Sequence, residues 1–196
     1  MDDRLRKQMD FALLIDKEKN IFRQTHLSDH GRRENDAEHA WHMAVMAYLL
    51  REYANESVDI GRVMIMCLIH DIVEIEAGDT YAFDDENLKT QKEREDQAKE
   101  KIYSLLPEDQ KAEFIALFDE FEAYETPESK FAHAMDNVQP LMLNHSNGGS
   151  DWQEHHMDAG HVYGRQNKTA LGSEKLFREF VDPAIQANIQ KGSLLP

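Results

Sequence analysis

The chain has 196 residues, of which 41% are hydrophobic and 31% charged, a balance that excludes a disordered polymer and supplies apolar surface for a real core. Its 22 basic against 38 acidic residues give a formal charge of −16, a field that repels nucleic-acid backbones and anionic membranes. The single cysteine, Cys67, excludes an internal disulfide and a thiolate-rich metal site. No apolar run reaches membrane-spanning length, so the expectation is one domain over residues 1–196, cytoplasmic, with no nucleic-acid or membrane partner.

In chain order, apolar residues at three-to-four spacing predict a first helix over Leu5–Ile15. Asn35-Asp36 offers an Asx cap for a helix over Ala37–Tyr53, with Glu38 in its first turn. A third periodic segment covers Ile60–Val73. The Lys89–Lys101 run pairs opposite charges at helical spacing and reads as a solvated helix face. Pro107-Glu108-Asp109 and Thr126-Pro127-Glu128 each open a further helix, the second reaching Leu143. Asn147-Gly148-Gly149-Ser150 is the clearest loop, and a helical extension follows over 150–196. No alternating strand pattern bounded by hairpin turns is visible. The fold class is therefore all-α, with about seven or eight helices.

Four polar residues lie on apolar helix stripes. His39 shares a stripe with Met43, Met46 and Leu50, which turns it inward. A buried neutral histidine bonded to a carbonyl would suit that position, and so would a ligand. Val63, Cys67, His70, Asp71 and Glu74 continue a second stripe. A histidinium suits a helix C-terminus, whereas an aspartate there faces the negative end of the dipole unless a cation sits beside it. Asp136 lies between Ala132, Pro140 and Leu143, and Pro140 displaces the carbonyl of Asp136 itself. His39, His70, Asp71 and Asp136 together form a mixed nitrogen and oxygen set from three helices, suited to a divalent first-row ion with open positions.

The order His39 … His70-Asp71 … Asp136 resembles the HD-domain superfamily of metal-dependent phosphohydrolases, whose signature is H…HD…D. The phrases "RRENDAEHAWHMAVMAYLL", "LIHDIVEIEAGDT" and "TPESKFAHAMDNVQPL" resemble its small single-domain branch, which includes 5′-deoxynucleotidase-like proteins; the similar core runs from about residue 23 to residue 143. The resemblance implies a compact HD-domain helical bundle holding one divalent ion (Mn, Co, Fe, Ni, Zn or Mg). It implies hydrolysis of a small phosphorylated substrate, best put as a nucleotide phosphomonoester, with a homodimer as the common assembly. It also implies roles for Glu74 in activating or orienting the attacking water and for Asp79 in contacting the nucleoside. The branch carries an Arg-Trp pair ahead of the first histidine; this chain has Phe22-Arg23-Gln24-Thr25 there, without the tryptophan. Arg23, Arg32 and Arg33 are the candidates for holding phosphate. Phosphodiester or nucleoside tri- or polyphosphate hydrolysis, and metal-dependent nucleotide sensing without turnover, are the competing readings.

Overall fold

A computed structural model describes residues 1–78 and 85–196. Asp79 lies outside the described residues. The chain opens with α1 (Asp3–Leu14), a 3-10 turn (Ile15–Asn20), and two short strands, β1 (Phe22–His26) and β2 (Arg33–Asn35). Next come α2 (Asp36–Leu50), α3 (Ile60–Ile69), α4 (Glu74–Ala77), α5 (Asp85–Tyr103), α6 (Glu108–Ala123) and α7 (Pro127–Ser146). The C-terminal part adds α8 (Ser150–Glu154), α9 (Ala159–Gln166), α10 (Thr169–Gly172), α11 (Glu174–Leu176) and α12 (Asp182–Lys191). Among the described residues seven helices reach ten residues or more, in line with the all-α expectation.

The caps explain where the central helices start. The Asn35 side chain accepts from the Glu38 amide at 3.0 Å, and Glu38 accepts from the Asn35 amide at 3.2 Å, a reciprocal box that fixes the entry to α2. Asp59 caps α3, and Thr126 caps α7 with Pro127 in the first turn. Two expectations change. The periodic segment from Ile60 does not run on to Val73; α3 ends at Ile69 with His70 as its C-cap, and a turn over Asp71–Val73 leads into α4. The β1–β2 ladder, antiparallel with Phe22 opposite Asn35 and His26 opposite Arg33, is also new. Both strands are short and largely polar, so they carry no apolar alternation to betray them.

α2, α3 and α7 pack on one another, with Met43, Met66, Phe131 and Met135 fully buried between them. One hydrophobic cluster reaches from Phe11 to Leu194 and takes in Trp152, Val162 and Ile185 of the C-terminal helices. Cys67 is buried in this core, and burial pushes its thiol far up, as expected of a structural cysteine. The α5 face is solvated where its side chains are described: Lys99 pairs with Asp119 at 2.7 Å, while Ala98 and Ile102 face inward.

α10 packs closely on α7 at Gly172. A Cβ on Gly172 would stand 2.1 Å from the Lys130 carbonyl oxygen, a backbone atom with nowhere to go. Gly172→Ala should therefore force α10 off α7 and cost about 1–3 kcal/mol, the usual size of overpacking. Thermal unfolding should show a clear drop in Tm. An unchanged Tm would mean that the joint is looser than described.

Candidate metal centre

The three central helices carry the centre. His39 sits one turn into α2 and is fully buried; His70 caps the C-terminus of α3; Asp136 lies midway along α7. One ligand atom from each of these residues lies within 4.8 Å of the other two. The two imidazole rings are 5.6 Å apart between centroids. Asp71 stands against the same group, with its Oδ1 3.0 Å from His70 Nε2.

Hydrogen bonding decides which ring nitrogens face inward. The Gln139 amide group, one turn beyond Asp136, donates to Glu34 Oε2 at 2.9 Å and to His42 Nδ1 at 3.1 Å. Its Oε1 therefore accepts from His39 Nδ1 at 2.8 Å. Burial and the nearby Arg23 charge lower the His39 pKa to about 4, so the ring is neutral. Its remaining nitrogen, Nε2, then presents a lone pair to Asp136 Oδ1 at 3.2 Å. Two acceptors at that distance call for a positive centre between or beside them.

His70 is arranged alike. Its Nδ1 donates to the Cys67 carbonyl at 3.0 Å, turning Nε2 toward Asp71 and Asp136. That buried Nε2 makes no hydrogen bond of acceptable geometry, close as Asp71 is. Burial works to lower the His70 pKa, but the negative charges of Asp71 and Asp136 outweigh it and raise the pKa to about 9. The same field that draws a proton there would hold a divalent cation. The donor set of two imidazoles and carboxylates suits a first-row divalent ion, so the residues fit the metal that their pattern implies.

Two arginines brace the carboxylates from outside. Arg23 of β1 donates to Asp71 Oδ2 at 2.7 Å and reaches Asp36 at 3.3 Å. Arg165 of α9 donates to Asp136 Oδ2 at 3.1 Å. Although burial opposes ionisation, these charges and the neighbouring histidines hold both Asp71 and Asp136 below the ordinary carboxylate range. Behind them, burial raises Glu34 and Glu18 to about 7.

The centre opens onto a cleft of about 910 Å³, within the range of small-molecule sites. Arg23, His70, Asp71, Glu74 and Asp136 line it, with Phe121, Tyr124 and Trp152 as aromatic wall. Arg32 and Arg33 stand elsewhere: Arg32 donates to Glu38 Oε2 at 2.7 Å, and Arg33 reaches Glu154 at 3.4 Å. Both are surface ion pairs in the structure, not part of the described cleft lining, which argues against the phosphate role expected of them. Glu34, Gln139 and Arg165 were missed from the sequence; the buried Gln139, one turn from Asp136, is the one that helical spacing could have flagged. A second group, His26, Asp151 and Glu154, also has ligand atoms within 4.8 Å of one another. There the Nδ1 of His26 is bonded to Asp151, and Glu154 reaches Arg33.

The Gln139 amide should matter to metal affinity through the tautomer that it imposes on His39. Gln139→Leu is expected to weaken divalent-ion binding by about 10–100-fold, measured by titration with a competing chelator. Wild-type affinity in that variant would remove Gln139 from the account.

Comparison with known proteins agrees with this geometry. A crystal structure described as a predicted metal-dependent phosphohydrolase from Magnetospirillum magnetotacticum superposes with a TM-score of 0.93 at 46% identity, covering 98% of this chain and 96% of that one. Human 5′-deoxynucleotidase HDDC2 is 30% identical over 111 residues, 57% of this chain and 53% of its own length. The Xenopus laevis 5′-deoxynucleotidase HDDC2 is 29% identical over 109 residues, 56% of this chain and 53% of its own. The chain thus spans about half the length of the curated relatives it matches. The HD domain model matches residues 15–177, most of the sequence and well beyond the 23–143 core. The chain belongs to the HD domain family.

Proposed function

We propose that this chain is a metal-dependent phosphohydrolase that cleaves the phosphomonoester of a small nucleotide. The observation that carries this reading is the facing pair of His39 Nε2 and Asp136 Oδ1, with His70 beside them, where Asp136 and His70 line a nucleotide-sized cleft and His39 is buried behind them. The names of the relatives support the same chemistry. His39, His70, Asp71 and Asp136 would hold the ion. Once bound, a divalent ion supplies Lewis-acid polarisation of a phosphoryl oxygen and acidifies water.

The chain's own groups do the rest. His39 and His70 keep their inward nitrogens through the Gln139 and Cys67 hydrogen bonds. Glu74 opens α4 one turn beyond His70, is buried, and lines the cleft, where its carboxylate can take a proton from the attacking water. Arg23 lines the cleft and would meet a phosphate oxygen. Asp79 keeps its proposed role toward the nucleoside. Phe121, Tyr124 and Trp152 offer apolar surface for a base.

A homodimer and cytoplasmic residence belong to the same proposal. Support for the dimer comes from Trp41, Val45, Tyr48 and Leu49, exposed along α2, with Ile65 and Leu68 on the adjoining α3. Sedimentation velocity should give a dimer that Leu49→Glu dissociates; a wild-type monomer would remove that part of the reading. Free nucleotides as substrate are the ground for the compartment, which cell fractionation tests. Among the described residues no helix is long and apolar enough to cross a membrane.

Phosphate release from nucleoside 5′-monophosphates, assayed with several divalent ions, tests the main claim. Glu74→Ala should retain the ion and lose about 10²–10⁴-fold in kcat, the usual weight of acid–base help. Loss of the ion together with activity would make Glu74 a ligand instead.

A further inference from the structure

The cleft poses an electrostatic problem. Among its described lining residues, seven carboxylates stand against only three Arg or Lys side chains: Arg23, Arg165 and Lys168. A phosphate dianion entering such a site needs fixed cations close to the reacting centre. Arg23 answers part of that need, but its guanidinium already serves Asp71 and Asp36.

Arg165 is held in a different way. It lies in the C-terminal extension, a region to which the sequence reading assigns no role. The next residue, Gln166, is buried and donates to the Asn137 carbonyl at 2.7 Å, while Thr169 donates to Gln166 Oε1 at 3.1 Å. Arg165 and Gln166 thus grip the consecutive residues Asp136 and Asn137 of α7, and α9 cannot drift from the centre without breaking both contacts. Arg165 meets Asp136 through Nη2 alone. Among the described residues no partner stands against its Nη1 or Nε, so most of its N–H donors are uncommitted. The side chain keeps 27% of its surface exposed and lines the cleft.

We infer that Arg165 is a substrate-binding residue, a second phosphate clamp in addition to Arg23 in the cleft lining. Each guanidinium is anchored by one of the centre's carboxylates, Arg23 by Asp71 and Arg165 by Asp136, and each is thereby pre-positioned for a phosphate oxygen. A planar fork held in place on one side can offer its other edge to an anion with little ordering cost. The C-terminal helices would then complete the site rather than merely extend the fold. This inference rests on the phosphohydrolase reading for its substrate but not for its test.

The test compares wild type with Arg165→Ala and Arg165→Lys. Three quantities are measured: divalent ion bound per chain, affinity for inorganic phosphate by calorimetry of the metal-loaded protein, and kinetics on 2′-deoxyadenosine 5′-monophosphate. Melting temperatures are recorded alongside, and the lysine variant carries the comparison if the alanine variant unfolds. Arg165→Ala should keep its ion and bind phosphate about 10–100-fold more weakly, with KM rising in parallel. Arg165→Lys, a point charge without the fork, should fall between the two. Unchanged phosphate affinity in both variants would overturn the inference, and so would loss of the ion, which would leave Arg165 only a brace for Asp136. A wild type that binds phosphate but hydrolyses no phosphomonoester would sink the phosphohydrolase reading and still leave the clamp decided by the binding arm.

Discussion

His39 Nε2 and Asp136 Oδ1 face each other at 3.2 Å in the interior, and neither carries a proton for the other once Gln139 has taken the His39 Nδ1 hydrogen. Most of the site follows from that constraint. Two acceptors held so close in a buried place cost several kcal/mol unless a cation relieves them. The protein does not avoid the conflict; it builds it, by spending Glu34 and His42 on the Gln139 amide so that the amide oxygen has one orientation left. Specificity for a metal over a simple hydrogen bond is thus written into residues that would never touch the ion.

The arginines solve the opposite problem. Asp71 and Asp136 must stay ionised where burial favours protonation, and Arg23 and Arg165 supply the charge that keeps them so. These pairs are expensive to form in the interior and add little stability of their own. Their value lies in holding carboxylate oxygens at fixed angles, which a ligand set requires. The arrangement also leaves positive charge at the edge of a cleft in a chain of net charge −16, where an anion would otherwise find no welcome.

Much of this was legible in the sequence because helical spacing carries direction. His39 on a stripe with Met43 and Met46, and Asp136 beside Ala132, point inward on any regular helix, and the caps at Asn35 and Thr126 set the phase from which to count. The end of α3 was not legible: no glycine or proline marks the turn at Asp71–Val73, and the stripe through Glu74 reads as continuous although the helix breaks. The β1–β2 ladder was hidden by its polar composition. Gln139 and Glu34 look like ordinary polar residues until burial makes them a pair. Arg165 is 29 residues from Asp136, with the second half of α7 and the short α8 between, a tertiary meeting that no local pattern encodes. Arg32 and Arg33 show the converse, since nearness in sequence to the α2 histidine did not bring them to the cleft.

The metal centre is a defined place in space, which anomalous diffraction can locate. Crystals soaked in manganese and measured at long wavelength should show a single strong peak among His39 Nε2, His70 Nε2 and Asp136, about 2.0–2.3 Å from each ligand atom, with an Asp71 oxygen in the same shell. A peak at His26, Asp151 and Glu154 instead, or no peak at the helix junction under saturating metal, would contradict it.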